Sequence, residues 1–177
     1  IESGGQVEIA NGKTLSLADG NGIDLAIDGT LLNNGTLSIL SGAKWRVNAG
    51  GTFIHNTSTA ISSPLNNATL DPASTFVYRG SGSSPLPSLA GKTYGNLTFE
   101  ARTEETSYTI NYGSGSNNLI IYGNLTIKQK VTLNLNSTVL PIVTIKGNLI
   151  VNGALTTPTQ TIVFNGVSAQ TIEGVSQ

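Results

Sequence analysis

Residues 94–99 read Tyr94-Gly95-Asn96-Leu97-Thr98-Phe99, and the phrase returns as Tyr122-Gly123-Asn124-Leu125-Thr126-Ile127 and, degraded, as Lys146-Gly147-Asn148-Leu149-Ile150-Val151. The spacings are 28 and 24 residues. Within each copy apolar and polar positions alternate, the pattern of a strand with one buried face. If each copy is one coil of a winding chain, Leu97, Leu125 and Leu149 stack as one inward ladder, with Phe99, Ile127 and Val151 beside it. Thr98, Thr126 and Ile150 then point outward, and Asn96, Asn124 and Asn148 stack at a corner. Stacked Asn side chains hydrogen-bond along the axis, as they do in cross-β packing.

The rest of the chain is built of similar short alternations. Val7 and Ile9 flank Glu8, and Leu15 and Leu17 flank Ser16. Ile23, Leu25 and Ile27 alternate with Asp24, Ala26 and Asp28. Leu37 and Ile39 flank Ser38, and Trp45 and Val47 flank Arg46. Gly and Asn fill the gaps and tolerate the tight corners between strands. No helical period is sustained. An antiparallel sandwich also uses many short strands, but the recurring phrases favour a parallel β-helix. Clusters begin near residues 7, 15, 25, 37, 45 and 52, and taking every second one implies roughly 18–20 residues per coil. With the later spacings, the expected range is roughly 18–28 residues. The chain reads as one solenoid domain: regular coils over 1–54, a loop over 55–74 with two prolines, and decorated coils over 75–177. Further loops are expected at Ser81–Lys92 and Ala101–Ser107.

A longer repeat pairs 75–86 (TFVYRGSGSSPL) with 161–172 (TIVFNGVSAQTI), 86 positions apart. It matches Thr75 to Thr161, Val77 to Val163, Tyr78 to Phe164 and Leu86 to Ile172. By that offset the next Tyr-Gly-Asn-Leu opener falls due at position 180, past Gln177. The expectation is a ladder left uncovered at this end, belonging to a longer array or completed by a neighbouring copy.

At 177 residues the chain can bury a real core, and hydrophobic residues make up 38%. Charged residues are only 11% and the net charge is −1, less than half the usual charged fraction. Such a surface has no electrostatic footprint for nucleic acid or an anionic membrane. The longest apolar runs, such as Leu119–Tyr122, are far too short to span a bilayer. With no Cys there is no disulfide framework, thiolate metal site or thiol nucleophile.

The phrases GTLLNNGTLSILSGAKWRVNAGGTF (29–53), TFVYRGSGSSPLPSLAGKTYGNLTF (75–99) and TIVFNGVSAQTIEG (161–174) resemble repeat modules of large secreted bacterial adhesins. These are β-helical proteins similar to filamentous haemagglutinin and autotransporter passengers. The resemblance is one of repeat style and covers most of the chain. It implies export, a right-handed parallel β-helix, and an adhesive or extracellular structural role. It carries no catalytic motif. The 55–74 interruption departs from a plain shaft.

Polysaccharide lyases and hydrolases also use β-helices, but they need clustered carboxylates or acidic Ca²⁺ ligands. The best pair here is Asp24 and Asp28, which a solvated strand face explains as well. Glu104 and Glu105 beside Arg102 read as a charged loop tip. His55 is the only histidine, so a zinc site has no second ligand of that kind, and no G-x-S-x-G elbow accompanies it. No cofactor fingerprint occurs. The expectation is therefore a non-enzyme without metal or cofactor. Aromatic faces that stack on sugar rings are the one binding device on offer. Trp45 is in phase with Val47 and so points inward, whereas Tyr78, out of phase with Val77, is placed outward. Tyr94 and Tyr122 occupy equivalent corners, one coil apart. Tyr78, Tyr94 and Tyr122 are thus the candidate glycan-binding residues, with structural stacking as the competing reading. Tyr108 and Tyr112 flank Ile110 in phase with it. Ice binding would need outward Thr ladders, and Ile150 ends the one that Thr98 and Thr126 begin. Six Asn-x-Ser/Thr sequons, at Asn34, Asn56, Asn67, Asn96, Asn124 and Asn136, barely exceed the roughly four that this composition produces by chance. The expected function is an extracellular rod whose partners are flanking repeats or copies of itself, with surface glycans as the alternative.

Overall fold

The computed structural model describes residues 1–57, 65, 68–80, 91–102, 107–111, 117–135, 142–157 and 160–174. Nearly every alternation in these segments is a short strand. The chain begins with β1 (Gln6–Ile9), β2 (Thr14–Leu17) and β3 (Leu25–Ile27), then β4 (Thr30–Asn33), β5 (Thr36–Ile39) and β6 (Trp45–Val47). It continues with β7 (Thr52–His55), β8 (Ala68–Leu70), β9 (Thr75–Gly80) and β10 (Thr93–Tyr94). Next come β11 (Asn96–Ala101), β12 (Tyr108–Asn111), β13 (Leu119–Ile121), β14 (Leu125–Ile127), β15 (Val131–Asn134) and β16 (Val143–Ile145). The last are β17 (Leu149–Val151), β18 (Ala154–Thr156), β19 (Ile162–Phe164) and β20 (Ile172–Gly174).

Every ladder pair is parallel. The first face stacks eight strands without a break, β1-β4-β7-β9-β11-β14-β17-β20. A second face holds β2-β5 and β12-β15-β18, and a third holds β3-β6-β8 and β10-β13-β16-β19. This is an all-β parallel solenoid, as the recurring phrases imply. Gln6 pairs with Thr30, Thr30 with Thr52, Thr52 with Thr75, Thr75 with Asn96, Leu97 with Leu125, Leu125 with Leu149 and Leu149 with Ile172, so a coil takes 21 to 28 residues. The 18–20-residue spacing read for the first coils is too short. It passes over β4, whose adjacent Leu31 and Leu32 break the alternation, and so finds too few strands per coil.

Two ladders of the first face line the core. One runs Val7, Leu31, Phe53, Phe76, Leu97, Leu125, Leu149 and Ile172. The other runs Ile9, Asn33, His55, Tyr78, Phe99, Ile127 and Val151. Their middle rungs are aromatic. Phe53 packs at 5.3 Å from Phe76 and 5.2 Å from Trp45, and Phe76 sits 5.4 Å from Tyr94, ring centre to ring centre. The outer rungs are aliphatic except for the buried Asn33.

The Asn corner is present. Asn124 N donates to Asn96 Oδ1 at 3.0 Å, Asn148 N to Asn124 Oδ1 at 2.8 Å, and Thr171 N to Asn148 Oδ1 at 2.9 Å. Each side-chain carbonyl therefore satisfies a main-chain N–H of the next coil, where the turn interrupts the ladder. Glycines stand where coils approach most closely. A Cβ on Gly51 would lie 2.1 Å from the Ile27 carbonyl oxygen, and one on Gly153 2.2 Å from that of Val131.

Two expectations are corrected. The 55–74 segment is not wholly a loop: His55 ends β7, and β8 pairs with β6 in register, Trp45 with Ala68 and Val47 with Leu70. The 86-residue repeat does not mark equivalent rungs. Thr75–Gly80 lies on the first face and Ile162–Phe164 on the third. The first-face position above β17 is already filled by β20, which pairs Leu149 with Ile172, so no opener is due at position 180. The two copies share a strand-then-glycine composition that any face of the coil accepts. Most of the Ser81–Lys92 loop and residues 103–106 lie outside the described residues.

Candidate functional site

The three tyrosines proposed from the sequence do not form one surface. Tyr78 is 2% exposed and points inward with Phe76, which corrects its outward placement. Its ring lies over His55 at 5.4 Å and meets Phe99 at 6.3 Å. Burial disfavours the phenolate and pushes its pKa up to about 12. Tyr94 is fully buried as well. It pairs with Ile121, not with Tyr122, although Leu97 pairs with Leu125. The coil thus absorbs one extra residue at this corner, and Tyr122 is rotated outward. Tyr122 is 40% exposed, and Lys146 Nζ sits 3.8 Å from its ring centre in a cation–π contact. Of the three, only Tyr122 presents a face to solvent, and a lysine already covers part of it.

Other candidates have structural duties. Trp45 is buried as expected. Tyr108 is buried too, and its hydroxyl donates to the Glu100 carbonyl oxygen, while Tyr112 lies outside the described residues. Asp24 accepts from the main-chain N–H groups of Gly20 and Lys44, each at 2.8 Å. Asp28 accepts from Asn48 Nδ2 at 2.7 Å. These carboxylates hold turns together. His55 is buried in the core ladder, with Asn33 Nδ2 3.5 Å from its Nδ1. Among the described residues no group of three or more His, Asp or Glu could hold a metal ion. The outward row Thr98, Thr126, Ile150 and Glu173 is not a threonine ladder.

One concave feature was not anticipated. At the corner between the first and second faces lies an open groove of about 620 Å³. Arg79, Arg102, Lys128 and Lys130 line it, with Glu100, Gln129, Asn152 and Ala101 between them. Arg79 and Glu100 are cross-strand partners and form an ion pair. Lys128–Lys130 is the turn joining β14 to β15, and Asn152 belongs to the equivalent turn one coil on. Lys130 has φ 65°, and every other described residue with positive φ is glycine. A side chain in that left-handed region costs about 1 kcal/mol or more. The signal was in the sequence, since Arg79, Arg102 and Lys128 recur at about one coil length. It was obscured because cations scattered among turns look like solvated surface. Glu104 and Glu105 lie outside the described residues.

No helix among the described residues is long and apolar enough to cross a membrane. No protein-family model, curated protein or solved structure matches the chain.

Proposed function

We propose that this chain is a structural module of an extracellular adhesin-like rod, extended by stacking with flanking repeats or with copies of itself. The observation that carries this reading is the unbroken eight-strand parallel ladder of the first face. Parallel stacking with an apolar interior gives a stiff shaft whose shape is set by nearest-neighbour coils. The outermost strands add support. Val7 on β1 is 43% exposed and Ile172 on β20 is 70% exposed, and each extends the inward ladder of the same face. Exposed strand edges of this kind are templates for further pairing. A surface poor in charge and rich in Ser, Thr and Asn suits a shaft that other molecules touch without charge-driven clumping.

Sedimentation velocity over a wide concentration range, with electron microscopy of the concentrated chain, tests the stacking. Concentration-dependent end-to-end growth is expected, reduced by Ile172→Lys. A chain that stays monomeric at millimolar concentration would refute self-stacking.

A further inference from the structure

We propose that the corner groove is a binding site for an acidic polysaccharide, one whose sugar units carry carboxylates. The reading is separate from the rod, because it concerns the side of the solenoid and not its ends. Four of the chain's nine Lys and Arg residues line this single groove, in a molecule whose net charge is −1. The only carboxylate among the described lining residues is that of Glu100, and it is paired with Arg79. Among the described lining residues, Arg102, Lys128 and Lys130 therefore leave an excess of positive charge. Arg102 follows β11, and Lys128 and Lys130 share the turn after β14, so the charges lie on two adjacent coils, whose stacked strands are about 4.8 Å apart along the axis.

The remaining lining residues narrow the ligand class. Gln129 and Asn152 offer amides suited to hydroxyl groups. No aromatic side chain is among the described residues that line the groove, which disfavours neutral sugars and single-stranded nucleic acid, both of which stack on rings. Among the described residues Ala101 is the only apolar one that lines the groove, which offers little to the side chains of a peptide. A polyhydroxylated polyanion fits this combination. Lys130 adds an independent argument. Its turn needs a left-handed residue, the other described left-handed positions are all glycine, and here a cation stands instead. Strain retained at one position points to use.

The test is calorimetric titration of the whole chain with polygalacturonate oligomers, with neutral dextran and polyglutamate as comparison polymers. Binding of polygalacturonate that weakens with salt, weaker binding of polyglutamate and none of dextran are expected. The double variant Lys128→Ala/Lys130→Gly is expected to bind about tenfold more weakly, as two exposed cations each contribute severalfold. Glu100→Gln is expected to bind more tightly, a gain that misfolding cannot mimic. Lys13→Ala, remote from the groove, serves as the unchanged control. Polyglutamate bound as well as polygalacturonate, unchanged affinity in the double variant, or no gain in Glu100→Gln would overturn the proposal. None of these outcomes bears on end-to-end stacking, which is read by sedimentation.

Discussion

At the scale of single residues, the Asn corner is the device that recurs and was legible. Its spacing survives every insertion because the side-chain carbonyl replaces a ladder acceptor that the turn removes. Asn124→Ala leaves the Asn148 N–H without that acceptor and is expected to cost about 1–3 kcal/mol in urea denaturation. Tyr78 was misplaced for a simple reason. Phe76, Val77 and Tyr78 are consecutive apolar residues, so the period-two phase is ambiguous. The fold resolves it by burying the two rings and turning Val77 outward. Burial holds the Tyr78 proton in the folded chain up to about pH 12, whereas the unfolded chain loses it near its ordinary value of 10.0. That stabilising contribution is complete below pH 10 and is lost as pH rises from 10 to about 12. Tyr78→Phe is expected to flatten this part of the alkaline stability curve. The Tyr78 hydroxyl has no hydrogen-bond partner among the described residues, so the variant is also expected to be at least as stable at neutral pH.

At the scale of elements, the coil is set by close approach of turns. Gly153 lies against the main-chain oxygens of Val131 and Lys128, at 2.2 and 2.4 Å from where a Cβ would be. Backbone cannot yield as a flexible side chain does, so Gly153→Ala is expected to lower stability by roughly 1–3 kcal/mol, with a matching drop in Tm. The elements that escaped sequence reading are those whose partners supply the signal. Ala68-Thr69-Leu70 has little strand character by itself and is fixed by pairing with Trp45 to Val47. β4 carries apolar residues at both Leu31 and Leu32, so only its neighbours show which one faces the core. The cationic groove lies at this scale too. Its residues come from two strands, β9 and β11, and the turns of separate coils, and only stacking brings them together.

At the scale of the whole molecule, cohesion is uneven along the axis. The aromatic centre around Phe53, Phe76, Trp45 and Tyr94 is fully desolvated, while β20 is exposed along its length. Phe53→Ala is expected to cost about 3–5 kcal/mol by global denaturation, since the ring touches Trp45 and Phe76 at once. Native-state hydrogen exchange is expected to show the slowest amides in β7, β9 and β11 and the fastest in β1 and β20, because each coil is held only by its neighbours. Uniform protection along the first face would contradict that picture.

The repeated phrases, the alternation and the corner asparagines were enough to specify a parallel solenoid, because those features act between residues one coil apart and leave a period in the chain. The sequence alone also placed Trp45 and the Leu97–Leu125–Leu149 ladder inside. Tertiary structure decided what period does not encode. It chose the phase of runs such as Phe76–Tyr78, shifted Tyr122 outward by one residue, set the two 86-spaced segments on different faces, and gathered four cations into one groove. The physical reason is common to all four. Alternation says that one side of a strand is buried but not which side, and insertions at the turns change which residues meet without changing the pattern of any strand.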